Sequence, residues 1–152
     1  MTNTLDFRRN YADQNVLSMH LKCCDNFYVP RLSNRVNIED YSTKIHCQAE
    51  RFEAWCKQEL IGLVVVYCNK KNRTAFLTNV SVVPKWQKQK IAIQLLGHCF
   101  DYLRFNRFNY LKLEVDELNQ PAFSLYLKLG FKSTLKKNST FTMLMTLSRN
   151  SK

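Results

Sequence analysis

The sequence has 152 residues, of which 45% are hydrophobic and 23% are charged. This length and composition fit one globular domain and exclude a chain that is disordered throughout. The longest uninterrupted apolar run, residues 60–67, is far shorter than the ~20 residues that a membrane-spanning helix needs. Residues 1–14 are polar and charged, unlike a secretory signal, and we expect a cytoplasmic protein.

The chain is strongly basic, with 23 Lys and Arg against 12 Asp and Glu and a formal net charge of +11. No carboxylate occurs in residues 60–100 or after Glu117. Such a distribution favours an anionic partner, which can be nucleic acid, an anionic membrane or a polyphosphorylated small molecule. Because no nucleic-acid-binding motif accompanies the charge, we do not expect nucleic acid, and a basic surface without a dedicated ligand remains an alternative.

The cysteines and histidines show neither a C-x-x-C pair nor the spacing of zinc ligands, so we expect no metal site. In a cytoplasmic protein, buried reduced thiols are the expected state. The six cysteines are Cys23, Cys24, Cys47, Cys56, Cys68 and Cys99.

The first half of the chain predicts two helices followed by strands. Apolar residues at helical spacing predict helices over residues 13–24 and 38–50, and a short strand near residues 4–8 precedes them. The β-branched run at residues 59–67 is typical of a strand covered on both faces. Its neighbours are an alternating strand at 51–56 and, after a turn at 69–72, a strand over 75–83.

The second half alternates helices with strands. Pro84 ends the preceding strand because its ring cannot donate to a sheet, and apolar residues three and four apart predict a helix over residues 87–107. Asn119 suits the N-cap and Gly130 the left-handed C-cap of another helix. The remaining predicted strands are 111–115, 132–135 and 140–147. This order predicts an α/β (α+β) fold with one mixed, mostly antiparallel sheet of about six to seven strands and about four helices on its two faces.

Two segments resemble the signatures of the GNAT N-acetyltransferase superfamily. Residues 80–92, VSVVPKWQKQKIA, are similar to its acetyl-CoA signature, a strand followed by an Arg/Gln-x-x-Gly-x-Gly/Ala loop and a helix. Residues 119–131, NQPAFSLYLKLGF, match its second signature, Asn-x-x-Ala-x-x-Leu-Tyr-x-x-x-Gly-Phe. The chain is thus similar to small bacterial single-domain members. The resemblance implies one GNAT domain over 1–152, in which 1–50 shape the acceptor site and 51–148 bind acetyl-CoA.

By this resemblance the co-substrate is acetyl-CoA. A helix start offers unpaired N–H groups and partial positive charge, which suit a pyrophosphate. In the family, the N–H that matches Val82 polarises the thioester carbonyl, and the residue that matches Asn119 bonds the pantetheine arm. The implied cofactor-binding residues are Val80, Ser81, Val82, Gln87, Lys88, Gln89, Lys90, Ile91, Ala92 and Asn119.

Two lysines depart from the family pattern. Lys88 and Lys90 stand where glycines are usual, and glycine allows the backbone to approach phosphates without a Cβ. Lys90 could turn outward and pair with a phosphate. Alternatively, it could crowd the loop and leave a GNAT fold that binds coenzyme A weakly or not at all.

The resemblance implies one catalytic residue, and an amine acceptor, which must lose a proton, calls for a base. Tyr126 matches the tyrosine that protonates the departing thiolate or hydrogen-bonds its sulfur, although its spacing alone would suit a core aromatic. Glu114 is the candidate base, with Asp116 and His46 as alternatives, and a water-mediated route needs none of them. Glu114 could line the cleft or merely face solvent.

The acceptor cannot be read from the sequence beyond an amine. A loose similarity to GNAT proteins of surface-polysaccharide loci makes an amino sugar or nucleotide-linked amino sugar one hypothesis, beside a peptide N-terminus or a polyamine. Candidate acceptor-side residues are Tyr41, Lys44, His46 and Gln48. Three functions stay open: an acetyltransferase, possible as a homodimer; a degenerate GNAT-fold binding protein; and a small basic nucleic-acid-binding domain.

Overall fold

The structure, a computed structural model, describes residues 4–147. In chain order the elements are β1 Leu5–Arg9, α1 Gln14–Cys24, α2 Ile38–Gln48, β2 Glu50–Cys56, β3 Glu59–Asn69, β4 Thr74–Val82, α3 Ile91–Phe105, β5 Tyr110–Asp116, α4 Gln120–Leu129, β6 Lys132–Lys137 and β7 Thr140–Thr146. Short 3-10 helices occur at Asp25–Phe27, Leu32–Asn34 and Pro84–Trp86.

The strands form one sheet in the order β1-β2-β3-β4-β5-β7-β6. Among the described residues, β4 and β5 are the only parallel neighbours, and the other pairs are antiparallel. Helices α1 and α2 pack on one face, where Leu17 and Ile45 are fully buried. Helices α3 and α4 pack on the other face, around Leu96 and Leu103. The predicted mixed sheet with helices on both faces is confirmed.

Three helices begin at a side-chain cap, of which the one at Asn119 was predicted. The side chains of Asp13, Asn37 and Asn119 accept hydrogen bonds from N–H groups in the first turns of α1, α2 and α4. Gly130 ends α4 with a φ of 111°, a left-handed conformation that side chains disfavour. Local sequence therefore determines these four helix ends.

The third helix begins later than predicted. The sequence pattern suggested a start near residue 87, whereas α3 starts at Ile91. Lys88 and Lys90 adopt left-handed φ angles of 66° and 63°, which no α-helix can contain. The residues between the 3-10 helix Pro84–Trp86 and Ile91 therefore form a loop.

A buried ion pair ties the N-terminal segments to the sheet. The Arg51 guanidinium donates to the Ala12 and His46 carbonyl oxygens at 2.9 and 3.0 Å. Its Nε lies 3.4 Å from the Glu53 carboxylate, which also accepts from the Trp55 indole N–H at 2.9 Å. Both charged side chains are shielded from solvent. The pair therefore joins β2 to the segment before α1 and to the end of α2.

Half of the cysteines meet the expectation of burial: Cys24, Cys56 and Cys99 are buried, whereas Cys23 and Cys47 are exposed. Within residues 4–147, no cluster of three or more His, Cys, Asp or Glu side chains could hold a metal ion. None of the helices in that range is long and apolar enough to cross a membrane.

Gly62 of β3 lies where α3 crosses the sheet. A Cβ there would lie 2.8 Å from the Cγ2 of Ile91 and 3.1 Å from a methyl carbon of Leu95. We expect Gly62→Ala to lower the free energy of unfolding by about 1–3 kcal/mol through overpacking. Gly97→Ala, within α3, meets no atom within 4 Å and should raise it by about 0.5–1 kcal/mol. Urea denaturation measures both free energies of unfolding. If both variants changed stability in the same direction, the predicted overpacking at Gly62 would be wrong.

Candidate functional site

A β-bulge sets the direction of the side chains at the end of β4. The pairing with β3 runs Val66 to Leu77 and then Val65 to Asn79, which leaves Thr78 without a partner. The extra residue shifts the alternation of side chains by one position. Beyond it, Val80 packs toward the α3 core, whereas Asn79 is buried on the α1 side.

The same region of the sheet opens into a cleft. Parallel pairing between β4 and β5 ends at Leu77 and Leu113, although β4 continues to Val82 and β5 to Asp116. The gap between the two strands is a cavity of about 210 Å³. Its lining includes Tyr28, Thr78, Asn79, Val80, Glu114, Asp116, Asn119, Ala122 and Tyr126.

The open edge of β4 presents unpaired backbone groups to this cleft. The Val83 N–H donates to the Ile61 carbonyl oxygen at 2.9 Å, so this residue faces β3. In an antiparallel ladder the direction alternates, which turns the Ser81 N–H toward β3 and those of Val80 and Val82 toward the open edge. The Val82 carbonyl accepts a hydrogen bond from the Gln87 side chain at 3.0 Å. The two free N–H groups can therefore bond an extended ligand.

A second set of free N–H groups follows in the loop before α3. Gln94 donates the first hydrogen bond of the helix, to the Lys90 carbonyl at 3.1 Å. The N–H groups of residues 88–93 donate to no acceptor within residues 4–147. Together with the positive end of the helix dipole and the exposed Lys85, Lys88 and Lys90 side chains, they form a surface suited to an anion.

The lysines at the β3–β4 turn lie elsewhere. Lys70 and Lys71 precede the start of β4, whereas the anion-binding loop follows its end. At about 3.3 Å per residue, the length of β4 separates the two groups by roughly 30 Å. Of the lysines in the acid-free stretch 60–100, only Lys85, Lys88 and Lys90 therefore lie near the anion-binding loop.

Tyr126 lies on the α4 face that lines the cleft. Its ring packs edge-on against Phe131, with the two centroids 5.5 Å apart. Burial raises the pKa of its phenol to about 12. The hydroxyl has no hydrogen-bond partner in the described part of the chain. Tyr126 can therefore offer a proton to a group in the cleft throughout the neutral range.

Comparison with known proteins identifies the family. The family model of the GNAT acetyltransferases matches residues 18–131. The chain belongs to the GNAT acetyltransferase family. The acyltransferase class and the fold predicted from the two signatures are therefore confirmed. Among curated proteins, none matches this sequence significantly.

Solved GNAT structures share the fold at low identity. The ribosomal-protein-S18-alanine N-acetyltransferase from Escherichia coli superposes with a TM-score of 0.79 at 19% identity, covering 99% of this chain and 97% of its own. PaiA N-acetyltransferase from Thermoplasma acidophilum, in complex with coenzyme A, has a TM-score of 0.74 at 17% identity, covering 94% and 99%. A GNAT acetyltransferase from Elizabethkingia anophelis with acetyl-CoA bound has a TM-score of 0.72 at 19% identity, covering 96% and 100%.

Four of the predicted site residues lie together. Val80, Glu114, Asn119 and Tyr126 line one cavity, and Glu114 is exposed within it rather than directed away. The residues from Gln87 to Ala92 continue from the end of β4, with the Ile91 side chain buried in the core. Asn119 caps α4 at 3.3 Å through its oxygen, while its amide nitrogen donates to no group within residues 4–147.

Ser81 is placed differently from its neighbours. Its N–H faces β3, and its hydroxyl lies 2.8 Å from Nε2 of His20 and 2.9 Å from the Asn79 side chain. Its predicted role in binding acetyl-CoA therefore rests on its position in β4 rather than on a free polar group.

The acceptor-side residues proposed from their position in the chain divide into two groups. The Tyr41 hydroxyl donates to the Thr78 carbonyl at 3.2 Å, so α2 supports the bulge beside the cleft. The Lys44 ammonium lies 5.1 Å from the ring centroid of Tyr67. His46, like Gln48, is exposed and does not line the cleft.

Sequence reasoning missed Tyr28 and His20. Tyr28 lines the cleft and also a smaller cavity of about 100 Å³ along residues 80–82. His20 is buried in α1 behind β4. A histidine on an otherwise apolar helix face could have drawn attention to α1, but nothing near it in sequence points to its partners.

Proposed function

We propose that the protein is an N-acetyltransferase that transfers the acetyl group of acetyl-CoA directly to a primary amine. The observation that carries this proposal is the line of free N–H donors that runs from Val80 along the β4 edge to the start of α3. Tyr126 lies in the cleft at one end of this line. The relatives that hold coenzyme A or acetyl-CoA support the same ligand.

The residues of the loop fit a pyrophosphate despite the missing glycines. Lys88 and Lys90 keep the left-handed backbone that a glycine would adopt without strain, so their N–H groups remain free. Their ammonium groups add net attraction to phosphates. Of the two outcomes left open by the sequence, this geometry favours a binding loop over a blocked one.

The pantetheine arm would extend the sheet. An extended chain can pair with the open β4 edge as an added strand, through the N–H groups of Val80 and Val82. The free amide nitrogen of Asn119 lies on the opposite wall of the cleft and can donate to the arm. The strand edge and the α4 N-cap would thus bind the same group from two sides.

We place the donor that polarises the thioester carbonyl at Val80, two residues before the position expected from the signature. Both Val80 and Val82 direct their N–H groups to the open edge. Val80 shares the 210 Å³ cavity with Tyr126, whereas Val82 lines the smaller cavity beside Gln87. A single preorganised N–H at Val80 would stabilise the negative charge that develops on the carbonyl oxygen.

In the proposed reaction the amine nitrogen attacks the thioester carbon, a C–N bond forms and the C–S bond breaks. The amine loses one proton and the departing thiolate gains one. Because the pKa of Tyr126 is about 12, full transfer of its proton to a thiolate of pKa ~8.5 would cost about 5 kcal/mol of free energy. We therefore assign to its hydroxyl a hydrogen bond to the leaving sulfur, with the proton supplied in turn by the amine through solvent.

Glu114 is the proposed base. It projects from β5 into the cavity that contains Tyr126, and its exposure leaves room for a water molecule between the carboxylate and the amine. A water-mediated route suits an amine that arrives as ammonium and must lose a proton before it attacks. Asp116, on the same wall of the cavity, is the nearest alternative.

The acceptor would enter on the side of α1 and α2. Residues 1–50 contribute Tyr28 and Tyr41 to this side, and residues 51–148 contribute the acetyl-CoA surface. Because both parts contribute to one site, we propose that they form a single GNAT domain over residues 1–152. The acceptor is a primary amine of a small molecule, for which an amino sugar is one hypothesis, or of a peptide, and the proposed site of action is the cytoplasm.

Two measurements test the proposed function. Saturating acetyl-CoA, at about 100 times Kd, should add about 2.7 kcal/mol of stability, which is roughly 5–10 °C in Tm for this chain length. Thiol release with glucosamine, spermidine and an alanine-initiated peptide then identifies an acceptor. No Tm shift and no thiol release would favour a degenerate GNAT-fold protein that binds coenzyme A weakly or not at all. Salt-sensitive binding of RNA or DNA without any acetyl-CoA effect would favour a nucleic-acid-binding domain.

The left-handed loop lysines give a prediction for stability and binding. Lys90→Gly should raise the free energy of unfolding by about 0.5–1 kcal/mol, because the relief of strain at φ 63° exceeds the entropic cost of glycine. Acetyl-CoA affinity should stay the same or increase. Denaturation and ligand titration measure both effects. The matched control is Lys85→Gly, at a position without a left-handed φ, which should not be stabilised. A large loss of acetyl-CoA affinity in Lys90→Gly would contradict this prediction and show that the Lys90 ammonium is the main contact to the phosphates.

A further inference from the structure

Four polar side chains form a chain of hydrogen bonds on the α1 side of β4, and the proposed reaction does not use it. His20 is 4% exposed, and Asn79 is equally buried at 4%. His20 contacts Ser81 at 2.8 Å, Ser81 contacts Asn79 at 2.9 Å, and Asn79 contacts the Tyr28 hydroxyl at 2.8 Å. The chain therefore leads from the interior of α1 to a residue that lines the cleft.

The inner end of this chain has a defined proton. Nδ1 of His20 lies 3.0 Å from the Leu60 carbonyl oxygen, which can only accept. Nδ1 therefore carries the proton. Burial lowers the pKa of His20 to about 4, so the ring is neutral near pH 7 and Nε2 carries no proton. Nε2 must accept a hydrogen bond.

The Ser81 hydroxyl supplies that bond, and its direction determines the next one. The Cys24 thiol, whose sulfur lies 3.8 Å from Nε2, cannot be the donor instead. In that case Nε2 and the Ser81 oxygen would face each other at 2.8 Å as two acceptors with no proton between them. Having given its only proton to His20, Ser81 must accept from Asn79. The amide nitrogen of Asn79 therefore faces Ser81.

The donors and acceptors of His20 and Ser81 thus require the Asn79 amide to be turned over relative to the orientation in which its nitrogen faces Tyr28. Oxygen and nitrogen of an amide exchange positions by a 180° turn that preserves both contact distances. With the nitrogen toward Ser81, the Asn79 oxygen faces Tyr28 and accepts its O–H. Each member of the chain is then satisfied, and the proton of Tyr28 is directed away from the cleft.

We propose that Tyr28 recognises the acceptor amine: its phenol oxygen accepts a hydrogen bond from an N–H of the amine, and His20 holds Tyr28 in this polarity through Ser81 and Asn79. Tyr28 lines both cavities that flank Val80. A primary amine can donate to Tyr28 and still direct its lone pair at the thioester. A tertiary amine, or a carboxylate at this point, has no proton to donate. This inference rests on the proposed function.

The polarity is tested by the ring nitrogens of His20 in the full-length 15N-labelled protein. His46→Gln and His98→Gln assign the signals of the two exposed histidines by their loss. Between pH 6 and pH 8, His20 should show a protonated Nδ1 and a bare Nε2, and Ser81→Ala should shift the Nε2 signal because it loses its donor. A protonated Nε2 in the parent protein would overturn the inference and leave the proposed function intact.

The recognition is tested by kinetics with whichever of glucosamine, spermidine or the alanine-initiated peptide releases thiol. Tyr28→Phe should raise KM for that amine about tenfold, the effect of one hydrogen bond, and leave KM for acetyl-CoA unchanged. Tyr102→Phe, which packs against Phe52 on the α3 side, is the matched control and should alter neither. An unchanged amine KM in Tyr28→Phe would overturn the inference. No thiol release with any amine would instead overturn the proposed function, and amine recognition with it.

Discussion

Replacing Glu53 by alanine should lower the free energy of unfolding by about 3–5 kcal/mol, the usual cost of removing one partner of a buried ion pair. Glu53 is 0% exposed and Arg51 is 3% exposed. The carboxylate accepts from the backbone N–H groups of Tyr11 and Ala12 at 3.2 and 3.1 Å and from the Trp55 indole at 2.9 Å. Glu53→Ala leaves the Ala12 and Trp55 N–H groups buried without an acceptor. The Arg51 guanidinium keeps its carbonyl acceptors but loses its buried counter-charge.

Two controls separate this effect from the loss of a surface charge. Glu50 lies in the same strand and pairs with Arg9 at 3.0 Å, but both side chains are partly exposed. Glu50→Ala should therefore cost less than about 1 kcal/mol. The double variant Arg51→Met with Glu53→Leu should be more stable than Glu53→Ala, because no uncompensated charge remains. Urea denaturation measures all three, and a loss below about 1 kcal/mol in Glu53→Ala would contradict the role of the pair.

The burial of Glu53 shows a limit of sequence reasoning. The alternation of residues 51–56 predicts a strand correctly, and a polar residue in such a pattern is usually read as solvent-facing. Here helices cover both faces of β2, and the donors that satisfy Glu53 come from residues 11 and 12, about 40 positions away. The strand could be predicted from local periodicity, but the burial of its charge could not.

The candidate site shows the same division. The caps Asn119 and Gly130 and the helix that contains Tyr126 were predicted correctly, because cap residues and helical spacing are local. The bulge at Thr78 has no sequence signal, since one unpaired residue is visible only against the register of β3. The chain from His20 to Tyr28 depends on Ser81, which is 61 positions from His20. Both features come from tertiary packing.

The loop before α3 combines both cases. Its lysines were recognised as replacements for glycine, and their left-handed φ angles explain why glycine is usual there. The helix start was predicted four residues too early, because Lys88 and Lys90 are residues that helices favour. A glycine at either position would have marked the loop in the sequence.

The catalytic assignment depends most directly on Tyr126. Tyr126→Phe should lower kcat roughly 10–100-fold, because the leaving sulfur loses a hydrogen-bond donor that acts as its charge develops. The effect should stay modest, since a thiol of pKa ~8.5 is already a good leaving group. Acetyl-CoA affinity should change little, because the phenylalanine ring keeps the edge-on contact with Phe131.

The pH dependence separates a hydrogen-bond donor from an acid that must ionise. With its pKa raised to about 12 by burial, the Tyr126 phenol stays protonated far above neutrality. The parent protein should therefore show no loss of kcat from Tyr126 between pH 6 and pH 9, and Tyr126→Phe should keep the shape of that profile at a lower level. Tyr110→Phe, at the opposite end of β5 from the cleft, is the matched control. If Tyr126→Phe turns over as fast as the control, Tyr126 has no part in the departure of the thiolate, and the free N–H of Val80 would be the main source of transition-state stabilisation.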